Sequence, residues 1–103
     1  MKVKSLNTGP RHNNPSCKCD SWINHWDKNK YPDGSKWAGF CRACGNKFEH
    51  SDLVGGHVIK TNSSDTNRYI VPLCYSCNNK EPFEFDVNSS DLISANCDKC
   101  INK

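Results

Sequence analysis

No stretch of this 103-residue sequence is apolar for long enough to cross a bilayer. No apolar core follows Met1 either. Lys2-Val-Lys-Ser-Leu-Asn-Thr-Gly-Pro10 is polar, which argues against a secretory leader and makes the reducing cytoplasm the expected compartment. Hydrophobic residues are scarce, at 35% of the chain with a mean hydropathy of -0.81. Apolar burial alone would leave so short a chain marginally stable, and small domains in that position add metals or disulfides. Charge of one sign is scarce too. Fourteen Lys and Arg against 11 Asp and Glu leave a formal charge of +3, which permits contact with nucleic acid without demanding it. There is no internal repeat beyond a recurring pair of cysteines.

What the chain has in abundance is cysteine, eight in all. Cys41-Arg-Ala-Cys44-Gly45 and Cys74-Tyr-Ser-Cys77-Asn78 carry the strongest signal. Two CxxC pairs can place four thiolates around one tetrahedral ion, with sulfur roughly 2.3 Å from zinc. Gly45 lets the backbone fold back behind the first pair so that amides point at a thiolate. The competing reading is two local disulfides or a redox pair, which a small CxxC ring and a reducing compartment disfavour. Cys17, Cys19, Cys97 and Cys100 are candidate ligands for a second zinc joining the two ends of the chain, with His25 as a substitute ligand. Free thiols or a disulfide are the alternatives there. One zinc is therefore expected, and two are conceivable.

The hydrophobic pattern predicts a small α+β domain. Residues 1–16 have no hydrophobic period and read as a flexible, mildly basic arm, leaving 17–103 as one zinc-binding domain. Trp22, Ile23 and Trp26 fall at helical spacing behind Asp20 or Ser21 as cap, and Tyr31-Pro-Asp-Gly34 ends the helix in a turn. Lys36–Phe40 reads as a strand leading into Cys41, and residues 46–53 as a connection. Gly56–Lys60 and Arg68–Pro72 read as strands of a hairpin around a polar loop, with Pro72 leaving the ladder. A helical turn from Tyr75 to Lys80 stops at Pro82. Phe83, Phe85 and Val87 alternate as one more strand, and Ser89 or Ser90 caps a last turn.

Knuckle, hairpin, then CxxC at a helix start is the order of a treble-clef zinc finger. The run Gly55-Gly-His-Val-Ile to Tyr69-Ile-Val-Pro-Leu-Cys-Tyr-Ser-Cys-Asn-Asn-Lys80 resembles the cysteine-bearing branch of the HNH endonucleases, over residues 41–80. The resemblance implies a ββα element built around the finger, with His57 in the position of the general base. Three positions depart from the family pattern. Gly56 stands where an Asp or His metal ligand precedes the first motif His. Tyr69 stands where the central Asn belongs, and Asn78 where the last metal-binding His follows the final Cys.

A nuclease of this kind needs a base to activate water and a divalent ion to stabilise the leaving oxygen. His57 could be the base, but Gly offers no ligand and a neutral carboxamide is a poor one. His50, Asp52 and Asp65 are the nearby replacements, without a spacing rule to favour them. Three functions follow: a non-catalytic binding module contacting nucleic acid or a protein, an atypical metal-dependent nuclease using His57, or an adaptor with a protein partner only. Lys60, Arg68 and Lys80 are the candidate phosphate contacts, though each alone reads as a solvated charge. Trp22, Trp26, Trp37, Phe40 and Tyr69 read as core in preference to a base-stacking surface.

Overall fold

The computed structural model describes residues 1–6, 21–35, 39–80 and 82–95. These form a small α+β fold around one antiparallel five-stranded sheet. In chain order the elements are β1 (Lys2–Ser5), α1 (Trp22–Lys30), a 3₁₀ turn (His50–Asp52), β2 (Leu53–Lys60), β3 (Tyr69–Cys74), α2 (Tyr75–Asn78), β4 (Glu84–Asp86), a second 3₁₀ turn (Ser89–Asp91) and β5 (Ile93–Ser94). The strand order is β4-β1-β2-β3-β5.

The hairpin of β2 and β3 is the centre of the sheet, in continuous register from Leu53 opposite Cys74 to Val58 opposite Tyr69. Both strands run longer than their sequence suggests. Pro72 stays in the ladder opposite Gly55. It can do so because β5 flanks β3 at Tyr69 and Ile70, so among the described residues no neighbour requires a donor from Pro72 on that side. The Pro72 carbonyl instead accepts a hydrogen bond from the Arg42 amide at 2.9 Å, which fastens the first cysteine loop to the hairpin.

The N-terminal residues correct the expectation of an arm over 1–16. Lys2–Ser5 lie inside the sheet, between β2 and β4. Val3 is fully buried and Ser5 nearly so, while Lys2 and Lys4 point to the exposed side. The strand is the two-residue alternation Lys-Val-Lys-Ser, too short to stand out as a period but sufficient once two neighbours pair with it. Met1 and Val87 exchange backbone hydrogen bonds at its edge. The rest of the expected arm, residues 7–16, lies outside the described residues. So do 36–38 of the expected strand before Cys41, where Phe40 makes only an isolated bridge to Lys47.

Helix α1 forms where its cap and spacing predict. Ser21 accepts from the Asn24 amide, and Gly34, with φ of 73°, closes the Tyr31–Gly34 turn by donating to the Tyr31 carbonyl. Trp26 is fully buried and its indole N–H donates to the Asp91 carbonyl at 2.8 Å. Trp22 is only partly buried, Phe40 is half-exposed, and Trp37 lies outside the described residues. The expectation of an aromatic core thus holds for Trp26 and fails for Phe40.

The helix start sits directly on β2. A Cβ at Gly55 would lie 2.5 Å from the Trp22 carbonyl carbon and 2.7 Å from the Ile23 nitrogen. Backbone cannot step aside as a side-chain tip can, so this contact demands glycine. Gly55→Ala is expected to destabilise the fold by about 3 kcal/mol, the upper range for overpacking. Gly39→Ala, where the added Cβ meets nothing within 4 Å, should stay within about 0.5 kcal/mol of the parent. Urea unfolding of both variants checks the pair; equal midpoints would refute the close approach.

Candidate metal centre

The first CxxC folds as a knuckle. Cys41 and Asn46 pair by a 3.0 Å amide–carbonyl bond, Phe48 donates to the Gly39 carbonyl, and Gly45, with φ of 79°, donates to the Cys41 carbonyl at 2.8 Å. That left-handed residue turns the chain back, and the Cys44 amide then points at Cys41 Sγ at 3.5 Å. The second pair arrives on a different element. Cys74 ends β3, and Cys77 lies on the single turn of α2, which stops at Asn78. The Arg42–Pro72 bond holds the two pairs together.

The four ligand sulfurs of Cys41, Cys44, Cys74 and Cys77 all lie within 4.8 Å of one another, and the group can hold a metal ion. Cys41, Cys74 and Cys77 are buried and Cys44 is exposed. The donor set fits a cation electrostatically. At Cys41 burial pushes the thiol up, but amides of Cys44, Cys74 and Ala43 outweigh it and bring the pKa down to about 7. Cys77 is pushed far up, by burial first and then by the neighbouring Cys74 and Cys41 sulfurs. Four sulfurs so close cannot all ionise unless a positive ion lies among them.

Among the described residues, this is the one group of three or more His, Cys, Asp or Glu side chains close enough to share an ion. Cys17, Cys19, Cys97 and Cys100 lie outside the described residues. His25 is buried in α1 and its Nε2 donates to the Ser94 carbonyl at 2.7 Å, a bond that pins β5 beneath the helix. His50 pairs with Asp27, and Asp65 binds Tyr69 and Lys60. Its hydrogen bonds, from the Tyr69 hydroxyl first, hold the Asp65 carboxyl down at about 2.

His57 sits on β2 with its ring 5.0 Å from Trp22 in an edge-on arrangement, so the start of α1 packs against it. Gly56 and Asn78 do meet. A Cβ at Gly56 would be 3.2 Å from Asn78 Oδ1, but only 2.3 Å from the buried Leu73 Cδ1, which fills the space that a side chain would need. Of the three expected phosphate contacts, Lys60 and Arg68 flank the same hairpin loop. Lys60 is held by Asp65 at 3.0 Å and lies over the Tyr69 ring, and Lys80 lies beyond α2 over Phe83.

One anchoring cluster has no sequence signature. Asp91 takes Arg42 at 3.1 Å and Lys30 at 3.2 Å, and the Arg42 guanidinium lies over Trp26. Arg42 is the residue inside the first CxxC, so the knuckle is tied to both α1 and the second 3₁₀ turn. Compared with protein-family models, curated proteins and solved structures, the chain finds no match.

Replacing a sulfur by oxygen leaves the hairpin end and the knuckle without a common centre. Cys44→Ser and Cys74→Ser are each expected to give a disordered chain; a dispersed amide NMR spectrum retained by either would contradict a structural role for the ion.

Proposed function

We propose that this chain is a zinc-stabilised, HNH-like treble-clef module that binds nucleic acid without cleaving it. The observation that carries the reading is the join of a CxxC knuckle to a CxxC at the end of a β-hairpin, through four clustered sulfurs. An all-cysteine donor set at this spacing suits zinc over harder cations, which take oxygen ligands. Zinc bound there would be structural: all four positions are filled by protein, leaving none open for water or substrate.

Loss of catalysis is supported by the surroundings of His57. The two positions that the HNH resemblance assigns to ligands of the catalytic ion are Gly56 and Asn78. One has no side chain and is backed by Leu73, and the other is a neutral carboxamide. Trp22 packs on the His57 ring, where an attacking water would need room. The net charge of +3 and the exposed Arg68 beside the hairpin loop favour a polyanionic partner.

Two measurements test this. Zinc-loaded chain should bind single-stranded or duplex DNA with an affinity that falls steeply as salt rises; salt-independent capture of a protein with no DNA affinity would favour the adaptor reading. Plasmid and single-strand incubations with magnesium, manganese or nickel should show no cleavage, with or without His57→Ala. Cleavage abolished by that substitution would make the chain a nuclease with a rewired ion site.

A further inference from the structure

A cavity of about 270 Å³ opens between the start of α1, the first half of β2 and α2. Its size falls just under the range of about 300–1,000 Å³ of drug-sized sites, room for a single ring system. Trp22, Ile23, Val54, Gly55 and Tyr75 line it on the apolar side, and Ser21, Asn78 and Asn79 are its polar lining residues. No charged side chain of a described residue lines it. A phosphate, a carboxylate or a bare cation would find no counter-charge there, so the ligand that suits it is neutral.

The lining narrows the choice further. Tyr75 is an aromatic residue 52% exposed at the rim, with a long 3.4 Å hydrogen bond from its hydroxyl to the Ser51 carbonyl. A half-exposed ring beside an apolar wall is the usual platform for a flat heteroaromatic group. Asn78 and Asn79 both line the cavity, and each carboxamide carries a donor and an acceptor. Gly55 adds backbone: the Pro72 carbonyl turns away from β2 toward Arg42, so Gly55 opposite it turns its own peptide groups away from β3. A neutral, planar ligand with hydrogen-bonding groups around its rim meets all of these conditions.

We infer that this cavity takes an unstacked nucleobase, held between Tyr75 and the α1 start and contacted along its edge by Asn78 and Asn79. The inference rests on the nucleic-acid reading proposed above and adds to it a base-dependent component that phosphate contacts cannot supply. The base could come from a single strand or from a free nucleoside, and the same chemistry would hold either.

The test uses the full zinc-loaded chain at one fixed low salt concentration. Fluorescence anisotropy compares a short oligo(dA) strand with an abasic strand of equal length, and NMR follows the amides of Asn78 and Asn79 on addition of adenosine. The oligo(dA) strand is expected to bind about tenfold tighter than the abasic one, the scale of one base–aromatic stack. Tyr75→Ala and Asn79→Ala, both at exposed positions, should each shrink that difference and leave abasic binding unchanged. Adenosine shifting the same amides would show that a free base suffices; a response to the strand alone would show that the base is taken from a polymer. Equal affinity for both strands, or a difference that survives Tyr75→Ala, would overturn the inference while leaving backbone binding intact. Absence of binding to either strand and to adenosine would overturn it together with the nucleic-acid reading.

Discussion

The convergence of four cysteine sulfurs is the constraint on which the rest of this fold depends. They come from two segments that share no sheet pairing, a knuckle at Cys41 and Cys44 and the β3–α2 junction at Cys74 and Cys77. Without an ion the arrangement works against itself. Backbone amides favour a thiolate at Cys41, while burial and its sulfur neighbours hold Cys77 protonated. A cation at the centre would remove that conflict and turn repulsion into cross-linking. In a chain with so little apolar surface to bury, such a cross-link would supply what the core cannot.

From this centre the order spreads along two routes. One runs through the Arg42 backbone, whose amide bonds Pro72 and so sets the knuckle against the hairpin. The other runs through the Arg42 side chain to Asp91, Lys30 and Trp26, which binds the knuckle to α1. The start of α1 in turn presses on Gly55, and its Trp22 rests on His57. The face of the hairpin around His57 is therefore governed by a helix fastened to the cysteine centre. Function at that face, in the reading proposed here, is recognition in place of hydrolysis.

Much of this was legible in the sequence. The two CxxC pairs identified the sulfur cluster, Gly45 its turn, and the spacing of Trp22, Ile23 and Trp26 the helix with its Ser21 cap. The hairpin was legible as well, although Pro72 hid its true length, because a proline in a strand reads as an end unless its neighbour is known to require no donor from it. Strand β1 was not legible: four residues with one buried Val acquire meaning only between β4 and β2. The Asp91 cluster and the cavity beside Asn78 were also out of reach. Both are made by residues far apart in the chain that no local pattern links. The spatial meeting of Gly56 and Asn78 lay between these cases, since the positions stood out by resemblance but the intrusion of Leu73 needed coordinates.

In the reading proposed here, the middle four cysteines hold one zinc by sulfur alone. The most direct measurement is zinc X-ray absorption on a chain in which Cys17, Cys19, Cys97 and Cys100 are all replaced by Ser, so that only the central group can report. One zinc per chain with four sulfur neighbours at roughly 2.3 Å is the expected result. A shell containing nitrogen or oxygen, or a folded chain that retains no zinc, would contradict it.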